Sequence, residues 1–322
     1  MIRISKYLIR YFVGWFDNRV VERKYLNINL HGKEIDWARV IPYIIIHLSL
    51  ISLFFVGVSK AAIVVFILMY AIRMFAITGF YHRYFSHKTF KTSRLMQLIF
   101  AIVGASAVQR GPIWWAAHHR EHHMHSDTIN DKHSPKAHSF FWSHTGWFLT
   151  KANFLTHTKM VKELSRYPEL RLIDRFDVIV PIMTCVSLYF FGEYLYANHP
   201  NLDTNGLQLL SWGFVLSTVV LYHSTFLVNS VAHLWGKPRY KTEDESKNNF
   251  FIALLTFGEG WHNNHHHFPG SARQGFYWWE IDITYYLLKL MSLFGLIWDV
   301  RTVSNNIRES NQINNPKKSI SQ

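Results

Sequence analysis

Four long apolar segments constrain the fold of this chain more than any other feature. Residues 41–58 and 61–78 form a first pair separated by only two residues, and residues 178–191 and about 207–228 form a second pair. A helix of roughly 20 apolar residues crosses the hydrocarbon core of a bilayer, and each segment approaches that length. The sequence therefore predicts an all-α integral membrane protein with four transmembrane helices arranged as two hairpins.

The lysine and arginine residues are distributed unequally between the loops. The first pair of segments is joined by a loop whose only basic residue is Lys60, and the loop from Gly192 to Gly206 has none. Cytoplasmic loops of membrane proteins carry the excess of basic residues, so both termini and the region between the hairpins are predicted to be cytoplasmic. This pattern also explains the net charge of +13, so nucleic-acid binding is not needed to account for it. The basic residues flank apolar segments and form no compact basic motif.

Shorter patterns divide the rest of the chain. Residues 1–39 form an N-terminal segment whose first twenty residues have apolar side chains at i, i+3 and i+4, which predicts an interfacial amphipathic helix or a helix docked on a protein core. Residues 40–300 form the membrane domain. Within it, residues 95–109 are too short to span and predict a re-entrant or interfacial segment. Residues 301–322 form a polar tail that is predicted to be disordered.

Two further expectations concern single residues in the apolar segments. Arg73 interrupts the second segment near its end, where its long side chain is expected to snorkel to the interface. Cys185 is the only cysteine, so the chain can build neither a disulfide framework nor a thiolate metal site.

The twenty histidines are the most unusual part of the composition, and nine of them occur in three clusters and one isolated position. The clustered histidines are His82 and His87; His119, His122 and His123; and His262, His265 and His266, with His233 between the second and third clusters. Imidazole is the commonest protein metal ligand. Structural roles are expected for five isolated histidines, which are His31, His47, His157, His199 and His223.

The spacing within the clusters predicts how the imidazoles point. Residues at i, i+3 and i+4 share one face of an α-helix, so the second and third clusters can each present three imidazoles to a common point. Residues five apart point about 140° from each other, so His82 and His87 can converge only if the helix ends or unwinds between them. Asn229 and His233 are four residues apart and add another pair on one face.

Nine imidazoles are too many for one metal ion, because zinc takes four ligands and an octahedral ion takes six. The sequence therefore predicts two metal ions bound mainly by imidazole, and the division of the nine ligands between them stays open. Nearby carboxylates could accept the free ring N–H groups, or could be solvated surface acids. These are Glu121, Asp127, Asp131 and Glu259.

The motifs resemble those of the membrane fatty acid desaturases, specifically the acyl-CoA delta-9 (stearoyl-CoA type) branch and its bacterial relatives. The resemblance spans roughly residues 40–300. It rests on Gly79-Phe80-Tyr81 before the first cluster, Trp114-Trp115 and Ser126-Asp127 around the second, Ser143-His144-Thr145-Gly146-Trp147, Asn229-Ser230-Val231-Ala232-His233, and Gly258-Glu259-Gly260-Trp261 before the third.

This resemblance implies an assignment for the site. The metal ligands fall on His82, His87, His119, His122, His123, His233, His262, His265 and His266, and Asn229 matches an asparagine that holds one metal through water. The metals implied are two iron ions, although zinc could replace them in a purified preparation. With O2 and two electrons from outside, such a centre removes two hydrogens from a saturated acyl chain. The family fold implies a cytoplasmic helical cap over the membrane helices, with the acyl chain in a bent tunnel that selects a cis double bond between C9 and C10.

The residues implied to contact substrate match the family pattern at some positions and differ from it at others. Trp115 and Phe226 are candidate tunnel walls, or pack in the core. Vertebrate relatives have an Arg-Asp pair that contacts the CoA headgroup, where this chain has Ala117 and His118. Lys151 matches a basic residue that touches the same headgroup. Acyl-CoA is therefore the expected substrate, and an acyl chain on a lipid or carrier protein is the alternative.

The chain contains no haem, flavin or iron–sulfur motif, so a separate electron donor is required. The basic cytoplasmic face suits an acidic ferredoxin, rubredoxin or cytochrome b5. A hydroxylase, ketolase or alkane monooxygenase would use the same di-iron site. A zinc hydrolase or a metal-binding transporter would use the same ligands without redox chemistry. A purely structural membrane protein would need neither a metal ion nor redox chemistry.

Overall fold

The computed structural model describes residues 13–25 and 32–313, and their regular structure is almost entirely helical, as predicted. The α-helices are α1 (Asn18–Tyr25), α2 (Trp37–Leu48), α3 (Leu53–Val56), α4 (Lys60–Phe75), α5 (Arg94–Ala105), α6 (Pro112–His125), α7 (Lys151–Phe154), α8 (Pro168–Arg175), α9 (Ile179–Asn198), α10 (Gly206–Leu209), α11 (Ser217–Ser230), α12 (Phe250–Leu255), α13 (His262–His267), α14 (Ile283–Leu293) and α15 (Asn305–Glu309).

Shorter turns of other helical types connect or extend these helices. The 3₁₀ segments are Ser49–Ser52, Trp147–Leu149, Thr158–Val161, Pro200–Leu202 and Val231–His233, and the π-helical segments are Ala76–Ser86, Trp142–Gly146 and Leu210–Leu216. Strands β1 (Lys91–Thr92) and β2 (Ile297–Trp298) pair antiparallel, with Lys91 opposite Trp298.

Within the described residues, four continuous helices are long and apolar enough to cross a membrane. They are Trp37–Val56, Lys60–Ser86, Ile179–Asn198 and Gly206–His233. Each contains most or all of one predicted apolar segment, so the prediction of four membrane-spanning helices is confirmed at the level of length and composition. Phe54 and Phe55 are more than 80% exposed in the isolated chain, which is the arrangement expected of side chains that face lipid.

The described chain divides into two compact units. Among the described residues, unit 1 comprises those up to Ala76 together with residues 98–115 and 148–223, and unit 2 comprises residues 77–97, 116–147 and those from Ser224 onward. The nine clustered histidines all belong to unit 2.

Arg73 belongs to unit 1 and lies within the helix Lys60–Ser86, where its side chain is completely buried. Its Nε donates to the carbonyl of Met69 (3.1 Å), and one Nη donates to the Thr218 hydroxyl (2.7 Å) and the Ser106 carbonyl (3.3 Å). The other Nη donates to the Ser217 hydroxyl and the Gly213 carbonyl. The expectation that Arg73 snorkels is therefore wrong, because neighbouring helices supply acceptors that the sequence pattern does not show.

The start of α6 is fixed within unit 1 by a carboxylate from another helix. Oδ1 of Asp174 in α8 accepts hydrogen bonds from the backbone N–H groups of Ile113 (3.0 Å) and Trp114 (2.8 Å). These N–H groups have no partner inside the helix, so Asp174 caps α6 from a distance. Burial raises the pKa of Asp174 to about 7.

The ends of the chain differ in part from expectation. The tail was predicted to be disordered, but it contains α15, and the backbone N–H of Ile313 donates to the carbonyl of Arg239 (2.8 Å) in the part of the tail that the structure describes. The paired backbone of this segment, which composition does not reveal, accounts for the difference. Residues 1–12 of the predicted amphipathic helix lie outside the described residues. The short apolar segment of residues 95–109 forms α5, which is 12 residues long.

Replacement of Arg73 by Met tests the role of its hydrogen bonds. Loss of the guanidinium leaves buried carbonyl and hydroxyl acceptors without donors, so we expect the free energy of unfolding to fall by about 2–5 kcal/mol. The midpoint of thermal unfolding in detergent should fall by roughly 5–10 °C. Lys60→Met, at the exposed start of the same helix, is the control. Equal stability of the two variants would contradict a stabilising role for Arg73.

Candidate metal centre

The first histidine cluster lies in and just after a π-helical segment. Residues Ala76–Ser86 have i→i+5 hydrogen bonding, and the backbone N–H of His87 donates to the carbonyl of His82 (3.2 Å). Residues five apart therefore lie one turn apart and point to the same side. The helix does not need to end between the two histidines, because its wider winding brings them together.

The second and third clusters lie on α-helices with the predicted spacing. In α6, His119, His122 and His123 share one face near the C-terminus of the helix. Arg120 on the same helix donates to the carbonyls of Ser86 and Phe85 (both 2.8 Å), which ties α6 to the first cluster.

The third cluster opens α13 and is held by two buried asparagines between its histidines. Asn263 Oδ1 accepts from the backbone N–H groups of Arg239 and Tyr240 (both 2.7 Å). Asn264 donates to the carbonyl of Gln274 (2.9 Å). These contacts fix the helix through the residues that point away from the histidine face.

Five imidazoles form one group, which we call the five-histidine cluster. Its members are His82, His87, His119, His123 and His265, and one nitrogen of each lies within 4.8 Å of the others. The Nε2 atom of His119 is 2.7 Å from that of His87 and 3.1 Å from that of His123. The Nε2 atom of His265 is 2.9 Å from that of His123 and 3.1 Å from that of His82.

The other four imidazoles form a second group, the four-histidine cluster. Its members are His122, His233, His262 and His266. The Nε2 atom of His262 is 3.0 Å from that of His233 and 3.1 Å from that of His266. The structure thus brings together all nine histidines singled out in the sequence and divides them five to four, a division that the spacing left open.

The nitrogen spacing agrees with metal coordination in both clusters. Two nitrogens bound about 2.1 Å from one metal ion are about 3.0 Å apart at a right angle and about 3.4 Å apart at the tetrahedral angle. The observed Nε2 separations of 2.7–3.1 Å match adjacent positions around an ion with five or six ligands. An imidazole whose proton is held on Nδ1 presents only a lone pair at Nε2, which is the form that binds a metal ion.

Three aspartates orient the four-histidine cluster. Asp131 Oδ2 lies 2.9 Å from Nδ1 of His122, and Asp127 Oδ2 lies 2.8 Å from Nδ1 of His233. Asp244 Oδ2 lies 2.5 Å from Nδ1 of His266. Each carboxylate accepts a hydrogen bond from Nδ1–H, so the lone pair of Nε2 points into the cluster. Asp127 adopts φ +57°, a left-handed conformation that aspartate and asparagine tolerate better than most residues.

One glutamate performs the same role for the five-histidine cluster. Glu259 Oε2 lies 2.5 Å from Nδ1 of His82, and its Oε1 accepts from Arg83 (3.0 Å). Arg83 is itself fully buried and also pairs with Asp282 (2.9 Å). The preceding residue, Gly258, has φ +126°, and a side chain there would meet Asp282 and Arg83. The tight turn before the third cluster is therefore required for this ion-pair chain.

The environment keeps most of the clustered imidazoles neutral. Burial, followed by repulsion from neighbouring imidazoles, lowers the pKa of His87, His119, His123, His262 and His265 well below the ordinary value. Burial also lowers the pKa of His266, to about 4. For His122, burial is outweighed by the charge of Asp131, and its pKa is raised. A neutral imidazole is the form that binds metal.

Comparison with known proteins agrees with this site. The family model of fatty acid desaturases matches residues 59–294, which include all nine histidines. The chain belongs to the fatty acid desaturase family. This finding confirms the resemblance seen in the motifs.

Individual desaturases match most of the chain. A palmitoyl-monogalactosyldiacylglycerol delta-7 desaturase of Arabidopsis thaliana is 37% identical over 84% of this chain and 70% of its own length. An sn-2 palmitoyl-lipid 9-desaturase of Nostoc sp. is 34% identical over 83% of this chain and 90% of its own. An acyl-CoA C20 Delta5-desaturase of Anemone leveillei is 37% identical over 73% and 72%.

Three of the four carboxylates that the sequence places near the predicted metals, Asp127, Asp131 and Glu259, contact clustered histidines. Glu121 instead pairs with Lys132 (2.8 Å). Asp244 was not found in the sequence analysis. It lies in a polar loop 22 residues before His266, and no spacing rule connects the two. His133 was also missed, although its buried ring packs 4.3 Å from that of His122 and its Nδ1 lies 3.8 Å from Asp131.

The residues predicted to hold a metal through water or to contact substrate are divided between the two units. Asn229 lies one turn before His233 in unit 2, and its carbonyl accepts from Ser143. Phe226 is buried against the edge of His144, also in unit 2. Trp115, in unit 1, donates from its indole to Gln109 (3.4 Å). Lys151, also in unit 1, forms an ion pair with Glu34.

The lowered pKa values predict unusual acid tolerance of metal binding. Exposed histidines would begin to exchange metal for protons near their ordinary pKa of about 6.5. In the five-histidine cluster the lowered pKa values of His87, His119, His123 and His265 keep the neutral ligand form at lower pH. In the four-histidine cluster the raised pKa of His122 works in the opposite direction. We therefore expect at least one of the two equivalents of metal to stay bound down to about pH 5, as measured by elemental analysis after gel filtration at each pH. Loss of both equivalents above about pH 6 would contradict the assignment.

Proposed function

We propose that this protein is an O2-dependent fatty acyl desaturase that uses two iron ions to place a cis double bond, at the delta-9 position, in a saturated acyl chain. The observation that carries the proposal is the convergence of nine buried or half-buried imidazoles as two adjacent clusters, within the region that matches the desaturase family. A single zinc site would need about four ligands, so the ligand number favours a pair of ions.

The residues would share the work as follows. The five-histidine cluster would hold one iron and the four-histidine cluster the other, with Asn229 near the second through water. The iron pair, when bound, supplies the oxidation of C–H bonds by O2, which side chains alone cannot perform. The chain supplies the rest: Asp127, Asp131, Asp244 and Glu259 fix the protons on Nδ1, and the buried surroundings exclude bulk water.

The acyl chain of the substrate could be attached to a glycerolipid or to CoA. The sequence favoured acyl-CoA, and the relatives named above include both acyl-lipid and acyl-CoA desaturases. Lys151, the predicted contact for a CoA headgroup, is already paired with Glu34, and Ala117 and His118 are buried. These features favour a chain esterified to a glycerolipid, with acyl-CoA as the alternative. Trp115 and Phe226 are proposed to contact the chain.

The arrangement in the cell follows from the same reasoning. We propose a multi-pass protein of the membrane, with both termini and the metal centre on the cytoplasmic side, where most of the basic residues lie. The four apolar helices support the membrane location.

The first test is analysis of fatty acids after expression in a host that lacks its own desaturase. We expect new cis-9 monoenes, identified as methyl esters by gas chromatography and mass spectrometry with the double bonds mapped. The lipid classes should be separated first, because enrichment of the product in one glycerolipid would identify the carrier. His122→Ala and His265→Ala, one from each cluster, should abolish the product because each leaves an incomplete metal site.

A matched control makes the result specific. His157→Ala changes a histidine outside both clusters and should retain the monoenes. Full activity in the His122 or His265 variant would contradict the ligand assignment. Hydroxylated products would indicate an oxygen-inserting enzyme with the same site, and unchanged lipids despite bound iron and a working donor would argue against oxidative function.

The electron donor gives an independent prediction. Docking of an acidic ferredoxin, rubredoxin or cytochrome b5 on a basic face depends on charge complementarity, which salt screens. Turnover with purified donor should fall several-fold between about 0.05 M and about 0.5 M salt, while binding of a fatty acyl ligand in the same buffers changes little. Turnover that does not respond to salt would contradict docking by charge.

A further inference from the structure

We propose that the two metal positions are unequal, and that the four-histidine cluster holds its ion more tightly because of the carboxylates behind its imidazoles. The inference rests on the metal centre in the proposed function but not on the reaction. It concerns Asp127, Asp131, Asp244 and Glu259 as positioning residues, which act through the histidines that they contact.

The four-histidine cluster has a carboxylate on three of its four imidazoles. The three aspartates hold Nδ1 of His122, His233 and His266 at 2.5–2.9 Å, and all three contacts are buried. A carboxylate on Nδ1 raises the basicity of the opposite nitrogen and fixes the ring. Nearly the whole ligand set of this ion is therefore oriented before the ion arrives.

Uncharged groups stabilise these aspartates, so their negative charges remain available to the ion. Asp127 accepts from the Ser134 hydroxyl (2.6 Å) and the Glu245 backbone N–H (2.8 Å). Asp131 accepts from the backbone N–H groups of Asp127 and His133.

The third aspartate follows the same pattern. Asp244 Oδ1 accepts from the backbone N–H (3.0 Å) and hydroxyl (2.5 Å) of Ser246 and from the hydroxyl of Thr242 (3.0 Å). Its other oxygen, Oδ2, is the one that faces His266.

The glutamate behind the five-histidine cluster is in a different situation. Glu259 accepts from His82, from the guanidinium of Arg83 and from the amide of Gln274 (2.9 Å). Arg83 lies between Glu259 and Asp282, so this chain of charges sums to −1, compared with −3 for the three aspartates. A cation within hydrogen-bonding distance of the carboxylate offsets its attraction for a dication nearby.

The consequence concerns the order in which the ions are bound and lost. Removal of a carboxylate behind a metal-bound imidazole typically costs 10–100-fold in metal affinity. The ion with three such carboxylates should dissociate more slowly than the ion with the Arg83-neutralised glutamate. The five-histidine position would then be the first to empty, despite its larger number of ligands.

Zinc release from the purified full chain in detergent tests the inequality, since Zn²⁺ has no redox chemistry and little preference of geometry. Elemental analysis should give two equivalents per chain after loading. Mixing with an excess of a metallochromic chelator should then release them in two phases of one equivalent each, with rates that differ at least about tenfold.

Matched substitutions assign the phases. Asp244→Asn should accelerate the slow phase by about 10–100-fold and leave the fast phase unchanged, and Glu259→Gln should accelerate only the fast phase. Asp299→Asn, at an exposed carboxylate paired with Lys91, should alter neither. Asp127→Asn provides a second variant of the slow phase whose left-handed backbone conformation asparagine also tolerates. Gel filtration and thermal unfolding establish that each variant is folded.

The outcomes separate this inference from the proposed function. Release of both equivalents at one rate, or acceleration of the same phase by Asp244→Asn and Glu259→Gln, would overturn the inequality and leave the two-metal centre intact. A slow phase that responds only to Glu259→Gln would reverse the order and also overturn it. Failure to bind two equivalents would overturn both the inequality and the metal centre.

Discussion

The structure depends on one costly arrangement, the close packing of nine buried or half-buried imidazoles whose nitrogens face one another at about 3 Å. Such a group cannot be stabilised by protonation, because adjacent imidazolium charges in a buried site would repel strongly. Hydrogen bonds between the Nε2 atoms are limited too, because an imidazole whose proton is held on Nδ1 by a carboxylate can only accept at Nε2. The surrounding residues are arranged accordingly, with carboxylates on the outer nitrogens and two asparagines anchoring the third cluster.

Three of the elements that carry clustered histidines are fixed by polar residues adjacent to those histidines. Arg120 ties α6 to the end of the π-helical segment, and Asn263 ties α13 to the loop at Tyr240. Arg83, adjacent in sequence to His82, joins two buried carboxylates, one of which, Glu259, also contacts His82. The precision of the site therefore comes from polar residues between the histidines, and not from the histidines themselves.

Much of this was predictable from the sequence. Apolar length identified the four membrane helices, and helical spacing identified the second and third clusters, because both patterns are local. The winding of Ala76–Ser86, the partners of Arg73 and the contact of Asp244 with His266 were not predictable. Each depends on residues distant in the chain or on a helix type that propensities do not specify. The five-to-four division of ligands likewise depends on how separate helices meet.

The π-helical segment also bears on how first-cluster motifs should be compared between desaturases. In an α-helix, two histidines share a face when three residues separate them, and in a π-helix when four do. The spacing of His82 and His87 therefore goes together with the π-helical winding that places both on one face. A relative with one residue fewer between its histidines would need no π-helix to hold the same metal, so a difference of one residue in this motif is an exchange of helix type and not a loss of the site.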